Sequence, residues 1–209
     1  MSNDVRSVLV IGGGIAGIEA SICLARLGFK VHLIEKTPTL GGHTMQHNTL
    51  FPTMTATTNF LKSKINEAIS HPNINILTYS EVKEVGGGVG NFRIKVSKKP
   101  RYVDVQKCTA CGKCAIECPV EVPNEFEVGL GKREAIYIPY PSALPPTYTI
   151  DRDHCLHFKN GTCAKCIEAC PERAIKFEQK TEEIEFETSA IIIATGFDSY
   201  DATKFYEYG

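Results

Sequence analysis

The sequence predicts an α/β fold with a parallel sheet, interrupted in its second half by a cysteine-rich insert. Three observations carry this expectation. The apolar run Ser7-Val-Leu-Val-Ile11 leads into Gly12-Gly-Gly-Ile-Ala-Gly17, then into apolar residues at helical spacing, then into the strand-like segment Lys30-Val-His-Leu-Ile-Glu35. That order is the strand, turn, helix and strand of a parallel βαβ unit. Eight of the nine cysteines fall between Cys108 and Cys170. Alternating apolar and polar segments lie on both sides of that block, as if one antiparallel sheet had been opened to admit it.

Bulk properties narrow the function classes. The chain has 209 residues, 43% hydrophobic and 22% charged, with a formal net charge of −1. A balanced charge gives no field for nucleic acid or an acidic membrane surface. No run of about 18 apolar residues exists to span a membrane. The apolar stretch at Val8 to Ile11 is broken at once by glycines and is followed by no small-residue cleavage site, so it does not read as a signal peptide. The expectation is a cytoplasmic protein. In a reducing compartment, clustered cysteines point to metal or redox chemistry rather than to disulfides.

The elements follow in order. Ile18 to Leu27 reads as a helix ended by Gly28. Thr55 to Ser70 reads as a second helix, stopped by His71-Pro72, with a short strand at Asn75 to Tyr79. Glu81 to Val85 and Asn91 to Ser97 form a hairpin around the glycine-rich turn Gly86 to Gly90. After the cysteine block, Glu183 to Thr188 alternates and supplies the third strand of that meander. Ser189 to Gly196 reads as a buried apolar strand, with Ile191 to Ala194 returning to the parallel sheet. The expected organisation is therefore one discontinuous domain, 1–98 and 182–209, with an inserted domain at 99–181. Pro100, Pro139, Pro141, Pro145 and Pro146 suit a loop-rich insert.

The cysteines form two ladders. One is Cys108-x2-Cys111-x2-Cys114-x3-Cys118-Pro119. The other is Cys155-x7-Cys163-x2-Cys166-x3-Cys170-Pro171. Each ends in the C-x2-C-x3-C-P run of bacterial ferredoxins, in which a tight loop wraps one cubane and the fourth cysteine reaches the other. On this arithmetic Cys108, Cys111, Cys114 and Cys170 hold one [4Fe–4S] cluster, and Cys155, Cys163, Cys166 and Cys118 hold a second. The seven-residue gap makes Cys155 the most irregular ligand. The competing reading is a zinc ribbon, since C-x2-C pairs also build tetrahedral zinc sites. His154 and His157 flank Cys155 and are expected to be surface polar groups. Cys23, among Ala20, Leu24 and Leu27 on a helix, is expected to be a buried structural thiol.

The glycine turn carries the second site. Gly12-x-Gly14-x-x-Gly17 follows a strand and opens a helix, and Glu35 ends the next strand, which is the context of a dinucleotide fingerprint. Gly12 makes the turn, Gly14 lets a pyrophosphate approach the backbone, and Gly17 lets helix and sheet pack closely. The helix N-terminus supplies amides and positive potential, and Glu35 can accept from a ribose hydroxyl. Gly41-Gly42 and the later Ala194-Thr195-Gly196 resemble turns of the glutathione-reductase-like flavoproteins. That resemblance implies a Rossmann-like FAD-binding domain in which FAD is lined by Gly12, Gly14, Ala16, Gly17, Glu35, Lys36, Gly41, Gly42, His43, Val82, Ala194, Thr195 and Gly196. No redox-active cysteine pair lies beside the flavin position, which argues against a simple disulfide reductase.

The combination is more specific than its parts. Gly90-Asn-Phe92, Pro100-Arg-Tyr-Val-Asp104, Cys108-Thr-Ala-Cys-Gly-Lys-Cys114, Cys118-Pro-Val-Glu-Val-Pro-Asn-Glu-Phe126, Arg133-x-Ala-Ile-Tyr-Ile-Pro139 and Gly196-Phe-Asp198 resemble the family of flavin-bearing A subunits of heterodisulfide reductase, and also the quinone-interacting oxidoreductase flavoproteins, over nearly the whole chain. The resemblance implies an electron-transfer oxidoreductase subunit with FAD and two [4Fe–4S] clusters, partnered by other subunits and by an electron donor such as a hydrogenase or dehydrogenase subunit. Electron bifurcation is implied by the resemblance alone. Two departures stand out. Phe51-Pro52-Thr53 is followed by no thiol where larger members carry cysteines, and the family continues beyond Gly209. The expectation is a truncated or split N-terminal part, completed by more chain or by a second polypeptide and holding FAD tightly only then. The rival from another class is a non-enzymatic ferredoxin-type module on a vestigial Rossmann scaffold, which would show no flavin absorbance.

Overall fold

The computed structural model describes residues 6–198 and 200–207; the outermost ends of the expected first domain lie outside the described residues. Strand β1 (Ser7–Ile11) is followed by helix α1 (Ile15–Arg26) and strand β2 (Lys30–Glu35). Helix α2 (Thr57–Ser70) and strand β3 (Ile74–Thr78) complete the first unit. Helix α1 begins three residues earlier than its apolar pattern implied, because the turn feeds straight into it. Gly28, at φ +89°, ends it. The α2 helix begins two residues later than expected, because Thr55 and Ala56 pair back with Leu50 and Thr49.

A meander follows: β4 (Ser80–Gly88), β5 (Asn91–Lys98) and, after the cysteine block, β6 (Glu182–Thr188). The glycines 86–88 lie within β4 rather than in the turn, which shrinks to Val89-Gly90. Gly87 is required there: it sits at φ +81°, and a side chain would begin 2.2 Å from the Asn91 carbonyl oxygen. Strand β7 (Ala190–Ile193) then pairs in parallel with β1, so the parallel sheet runs β7-β1-β2-β3. This strand was expected to be buried, yet Ile193 is 74% exposed. It lies at the sheet edge, where only one neighbouring strand covers it.

Alternation along β1 and β2 feeds two layers. Val10, Val31 and Leu33 face α1 and α2, packing with Ile18, Ile22, Leu61 and Ile65. Leu9 and Ile34 face the meander, packing with Ile94 and Val96. The period of two along each strand is what sends neighbours to opposite faces.

The chain leaves the meander after Lys98 and returns at Glu182, and those two residues are cross-strand partners. Between them regular structure is sparse. A hairpin joins Glu121–Pro123 to Lys132–Glu134, and Ile136–Tyr137 pairs with Thr149–Ile150. Three short helices, Lys113–Ile116, Leu156–Asn160 and Lys165–Ala169, lie within the cysteine ladders. Their common core is Tyr102, Val103, Ile136, Ile150, Ala174 and Ile175 with the buried Cys114 and Cys166. One part of the insert does not belong to that core. Tyr140 and Ala143 pack with Val10, Leu40 and Met45 of the first unit, and the Tyr140 hydroxyl donates to the Leu40 carbonyl at 2.6 Å.

The glycine turn supplies a matched test of packing. A Cβ on Gly17 would begin 1.9 Å from the Gly12 carbonyl oxygen, whereas one on Gly14 would meet no atom within 4 Å. Gly17→Ala is therefore expected to cost about 2–3 kcal/mol through overpacking. Gly14→Ala loses only cap preference, under about 1 kcal/mol. Urea unfolding midpoints of the two variants should separate accordingly.

Candidate cofactor sites

The turn between β1 and α1 is fixed on every side. The Gly12 amide donates to the Ile34 carbonyl at 2.8 Å. Gly12 sits at φ +109°, and a side chain there would begin 2.2 Å from the Ala194 carbonyl oxygen. Gly12 and Gly17 thus serve close packing, while Gly14 leaves its outer face open. Gly14 also caps α1 with no side-chain hydrogen bond and no acidic residue in the first turn. The first-turn amides around Ile15, Ala16 and Gly17 therefore keep their donors and the positive end of the helix dipole directed outward.

Glu35 is buried, and both its oxygens are engaged. Oε2 accepts from the Gly13 amide at 2.6 Å and Oε1 from the Thr37 amide at 2.7 Å. The sequence pointed to a ribose acceptor; the structure adds a brace between the glycine turn and the end of β2. Each carboxylate oxygen retains a second acceptor position.

The other two glycine turns converge on the first. The Gly41 amide donates to the Gly13 carbonyl at 2.8 Å, and Gly41 bridges Gly14 in parallel. Gly42, at φ +56°, lies so close that its Cβ would begin 3.1 Å from Gly14 Cα. The Ala194 amide donates to the Ile11 carbonyl at 2.8 Å. His43 stacks on Phe197 with ring centroids 5.9 Å apart, and its Nε2 lies 3.5 Å from Asp198. Lys36, Thr195 and Gly196 are exposed nearby in sequence. Val82 is the exception. Its side chain packs in the layer between sheet and meander, so any contact to a nucleotide would come from the backbone at the β-bulge between Val82 and Glu84.

The eight clustered cysteines line two voids in the insert. Cys108, Cys111, Cys114 and Cys170 border one, with Val103, Tyr148 and Ile175 in the walls. Cys118, Cys155, Cys163 and Cys166 border the other, with Ile136, Ile150 and Phe177. Each ladder lends its fourth cysteine to the other's void. Among the described residues, no three His, Cys, Asp or Glu side chains converge closely enough to hold a single ion.

Burial dominates the thiol chemistry. It pushes Cys114 up to about 12, helped by neighbouring Cys108, Cys166 and Cys170. Cys166 is likewise pushed up to about 12 by burial and then by Cys155, Cys163 and Cys118. Burial raises Cys155 too, against backbone amides of His157 and Phe158 that favour its thiolate. The Ala174 amide donates to Cys170 Sγ at 3.3 Å. Packed thiols that resist ionisation become thiolates when a metal supplies the compensating charge.

Two sequence expectations need correction. Cys23 is exposed, not buried; α1 turns Gly17, Ile18, Ser21, Ile22 and Ala25 inward and leaves Cys23 outside that stripe. His157 is not a surface group either: its ring stacks on Phe177 at 3.7 Å and its Nδ1 lies 3.0 Å from the Cys163 carbonyl. His154 is exposed and pairs with Asp151 at 2.9 Å.

Comparison with known proteins agrees with these features. A family model for FAD dependent oxidoreductases matches residues 7–110, and one for 4Fe-4S binding domains matches residues 101–124. The iron-sulfur A subunit of the CoB–CoM heterodisulfide reductase of Methanocaldococcus jannaschii is 49% identical over 98% of this chain, and an A subunit from Methanopyrus kandleri is 51% identical over 98%. Over nearly its whole length the chain is thus homologous to part of the heterodisulfide reductase A subunits. It spans about 30% of the length of those two relatives. Among solved structures, L-proline dehydrogenase from P. horikoshii has a TM-score of 0.39 over 44% of this chain and 18% of that one, at 24% identity.

Two polar residues of this heterodisulfide reductase homologue escaped the sequence reading as anything beyond family markers. Arg133 is buried, donates to Glu125 and Asp151, and lies 3.7 Å over the Tyr137 ring. Arg101 is 7% exposed. It donates to Thr149 Oγ1 at 2.9 Å, to Thr78 Oγ1 at 2.7 Å and to the Pro38 carbonyl. Nothing in local sequence distinguishes a buried arginine from an exposed one.

Thiol accessibility and ionisation give a direct test. Alkylation of the reduced, metal-free chain proceeds through the thiolate. Exposed Cys23 and Cys111 should label first, and Cys114 and Cys166, with raised pKa values, should label last. Time-resolved peptide mass mapping at about pH 8, near the ordinary thiol pKa, reads the order.

Proposed function

We propose that the chain is an electron-transfer oxidoreductase component that binds FAD at the glycine turns and two [4Fe–4S] clusters in the insert. The observation that carries this reading is the division of eight cysteines between two voids, four each, with Cys118 and Cys170 exchanged. A tetrahedral zinc requires four sulfurs about 2.3 Å from one point. Thiols spread around a void suit a larger multi-iron group. FAD supplies two-electron chemistry and the clusters one-electron relay. In this reading 1–98 and 182–209 form the flavin domain and 99–181 a ferredoxin-like one.

The chain's own residues have defined tasks. The first-turn amides of α1 take the pyrophosphate, the open face of Gly14 admits it, and Glu35 accepts from the adenosine ribose while it holds Gly13. The backbone at Val82, Gly41 to His43, and Ala194 to Gly196 borders the rest of the cofactor. Cys108, Cys111, Cys114 and Cys170 ligate one cluster. Cys118, Cys155, Cys163 and Cys166 ligate the other, with amides of His157 and Phe158 stabilising thiolate at Cys155. Apolar walls limit water at both. The partners in this reading are other subunits of a heterodisulfide-reductase-like complex and an electron donor such as a hydrogenase or dehydrogenase subunit. Bifurcation at the flavin is the finer form of the proposal.

Metal content tests the clusters. Anaerobically purified or reconstituted protein should contain about eight irons per chain, matched by acid-labile sulfide. Cys118→Ser should disturb the cluster held by Cys155, Cys163 and Cys166 and spare the other. Stoichiometric zinc without sulfide would reject the reading.

Flavin binding is tested separately. Gly14→Val fills the open approach above the turn, so FAD affinity should fall by at least about tenfold, which is 1.4 kcal/mol, with cluster content unchanged. Fluorescence titration giving equal affinities for wild type and variant would leave the glycine turn purely structural.

A further inference from the structure

Arg101 presents an electrostatic problem that its hydrogen bonds do not solve. Its guanidinium is buried, and its three hydrogen-bond partners, Thr149 Oγ1, Thr78 Oγ1 and the Pro38 carbonyl, are all neutral oxygens. Among the described residues it forms no ion pair with a carboxylate. Arg133 shows the contrast: equally buried, it is matched by Glu125 and Asp151. A buried cation without a counter-ion is costly and persists only where something offsets it. Burial does lower its pKa, to about 10, so Arg101 still carries its charge at neutral pH.

Its position says where that charge acts. Arg101 lies two residues before Val103, and its partner Thr149 follows Tyr148; Val103 and Tyr148 are both walls of the first cysteine void. The groups whose ionised forms would act on it are Tyr79, Tyr137 and Cys108, and Cys108 belongs to that void. No cysteine of the second void is among them.

We propose that Arg101 is a tuning residue whose uncompensated buried charge raises the reduction potential of the cluster held by Cys108, Cys111, Cys114 and Cys170. This rests on the iron–sulfur reading above. The step concerned is the addition of one electron to that cluster from a one-electron donor, with no bond made or broken. The electron adds one negative charge, and a nearby fixed cation stabilises the reduced form; net charge and surroundings set cluster potentials. The second cluster, none of whose cysteines acts on Arg101, should not move, so the two acquire different potentials from similar ligand sets.

The experiment is an EPR-monitored redox titration of the full chain, reconstituted anaerobically, as wild type and as Arg101→Gln, Arg101→Lys and Thr78→Asp. Cys111→Ser assigns the signals, because it perturbs only the first cluster. In Arg101→Gln the first midpoint should fall by about 59 mV or more, a tenfold drop in the ratio of reduced to oxidised cluster, with the second unmoved. Arg101→Lys keeps the charge and should restore the wild-type value, although it loses the fork of hydrogen bonds. Thr78→Asp places a carboxylate where the guanidinium now donates. It should lower the first midpoint with Arg101 retained, and so reports even where Arg101→Gln does not fold. Unmoved midpoints in Arg101→Gln and Thr78→Asp, or equal shifts of both clusters, would overturn the proposal. Wild-type protein that takes up no cluster at all would remove the iron–sulfur reading itself, a distinguishable result.

Discussion

Sulfur occupies the centre of the insert, and the rest of that unit depends on it. Helices of four or five residues and strands of two or three have too little apolar surface to hold a stretch of about eighty residues together, since small units bury a small share of their area. Here the cysteines stand where large aliphatic side chains would otherwise be. Cys114 and Cys166 are buried at the join of the short helices, and Cys108, Cys118, Cys155 and Cys170 pack around the same aliphatic and aromatic core. Ligand binding by such a set is also folding free energy. The cysteine spacing is therefore as much a scaffold as a site.

One loop carries a dense group of the contacts between the two units. Residues 37–41 leave β2 beneath the glycine turn. On one side, the Gly41 amide holds Gly13. On the other, the Leu40 carbonyl accepts from Tyr140, the Leu40 amide donates to Leu144, and Pro38 accepts from Arg101. The same five residues thus brace the turn at α1 and seat the insert. Polar contacts made in a water-poor junction fix geometry strongly, because leaving any one partner unsatisfied there costs about 1–3 kcal/mol. A displacement on either side would be felt on the other.

Much of this was legible in the sequence, for physical reasons that can be named. β1 was readable residue for residue because a buried parallel strand is a continuous apolar run, and β2 because Val31, Leu33 and Ile34 follow the glycine turn and helix at the spacing of a βαβ unit. The turn was readable because only glycine fits at Gly12 and Gly17 against neighbouring backbone. The grouping of the cysteines was readable because short, repeated spacings bring side chains to one place. What escaped depends on long-range neighbours. Nothing local to Cys23 reveals that α1 turns it outward, and nothing local to Ile193 reveals that β7 is a sheet edge. Tyr140, inside the insert, packs under the first unit because of where the chain travels, not because of what flanks it. Arg101 belongs with these: its burial arises from Pro38, Thr78 and Thr149, which are distant in sequence and meet only in the fold.

The pairing of Lys98 with Glu182 has a consequence for how such a chain could arise. The two residues lie opposite each other on adjacent antiparallel strands, and Lys98 Nζ approaches Glu182 Oε2 to 3.0 Å. Every register contact of the meander lies on one side of that pair. A shorter gene encoding the same sheet would need only a tight loop there, and surface hairpin tips are where foreign segments are best tolerated. Recombination at that single point could add or remove the whole cysteine-rich insert without re-registering a strand, so it would be inherited as a cassette.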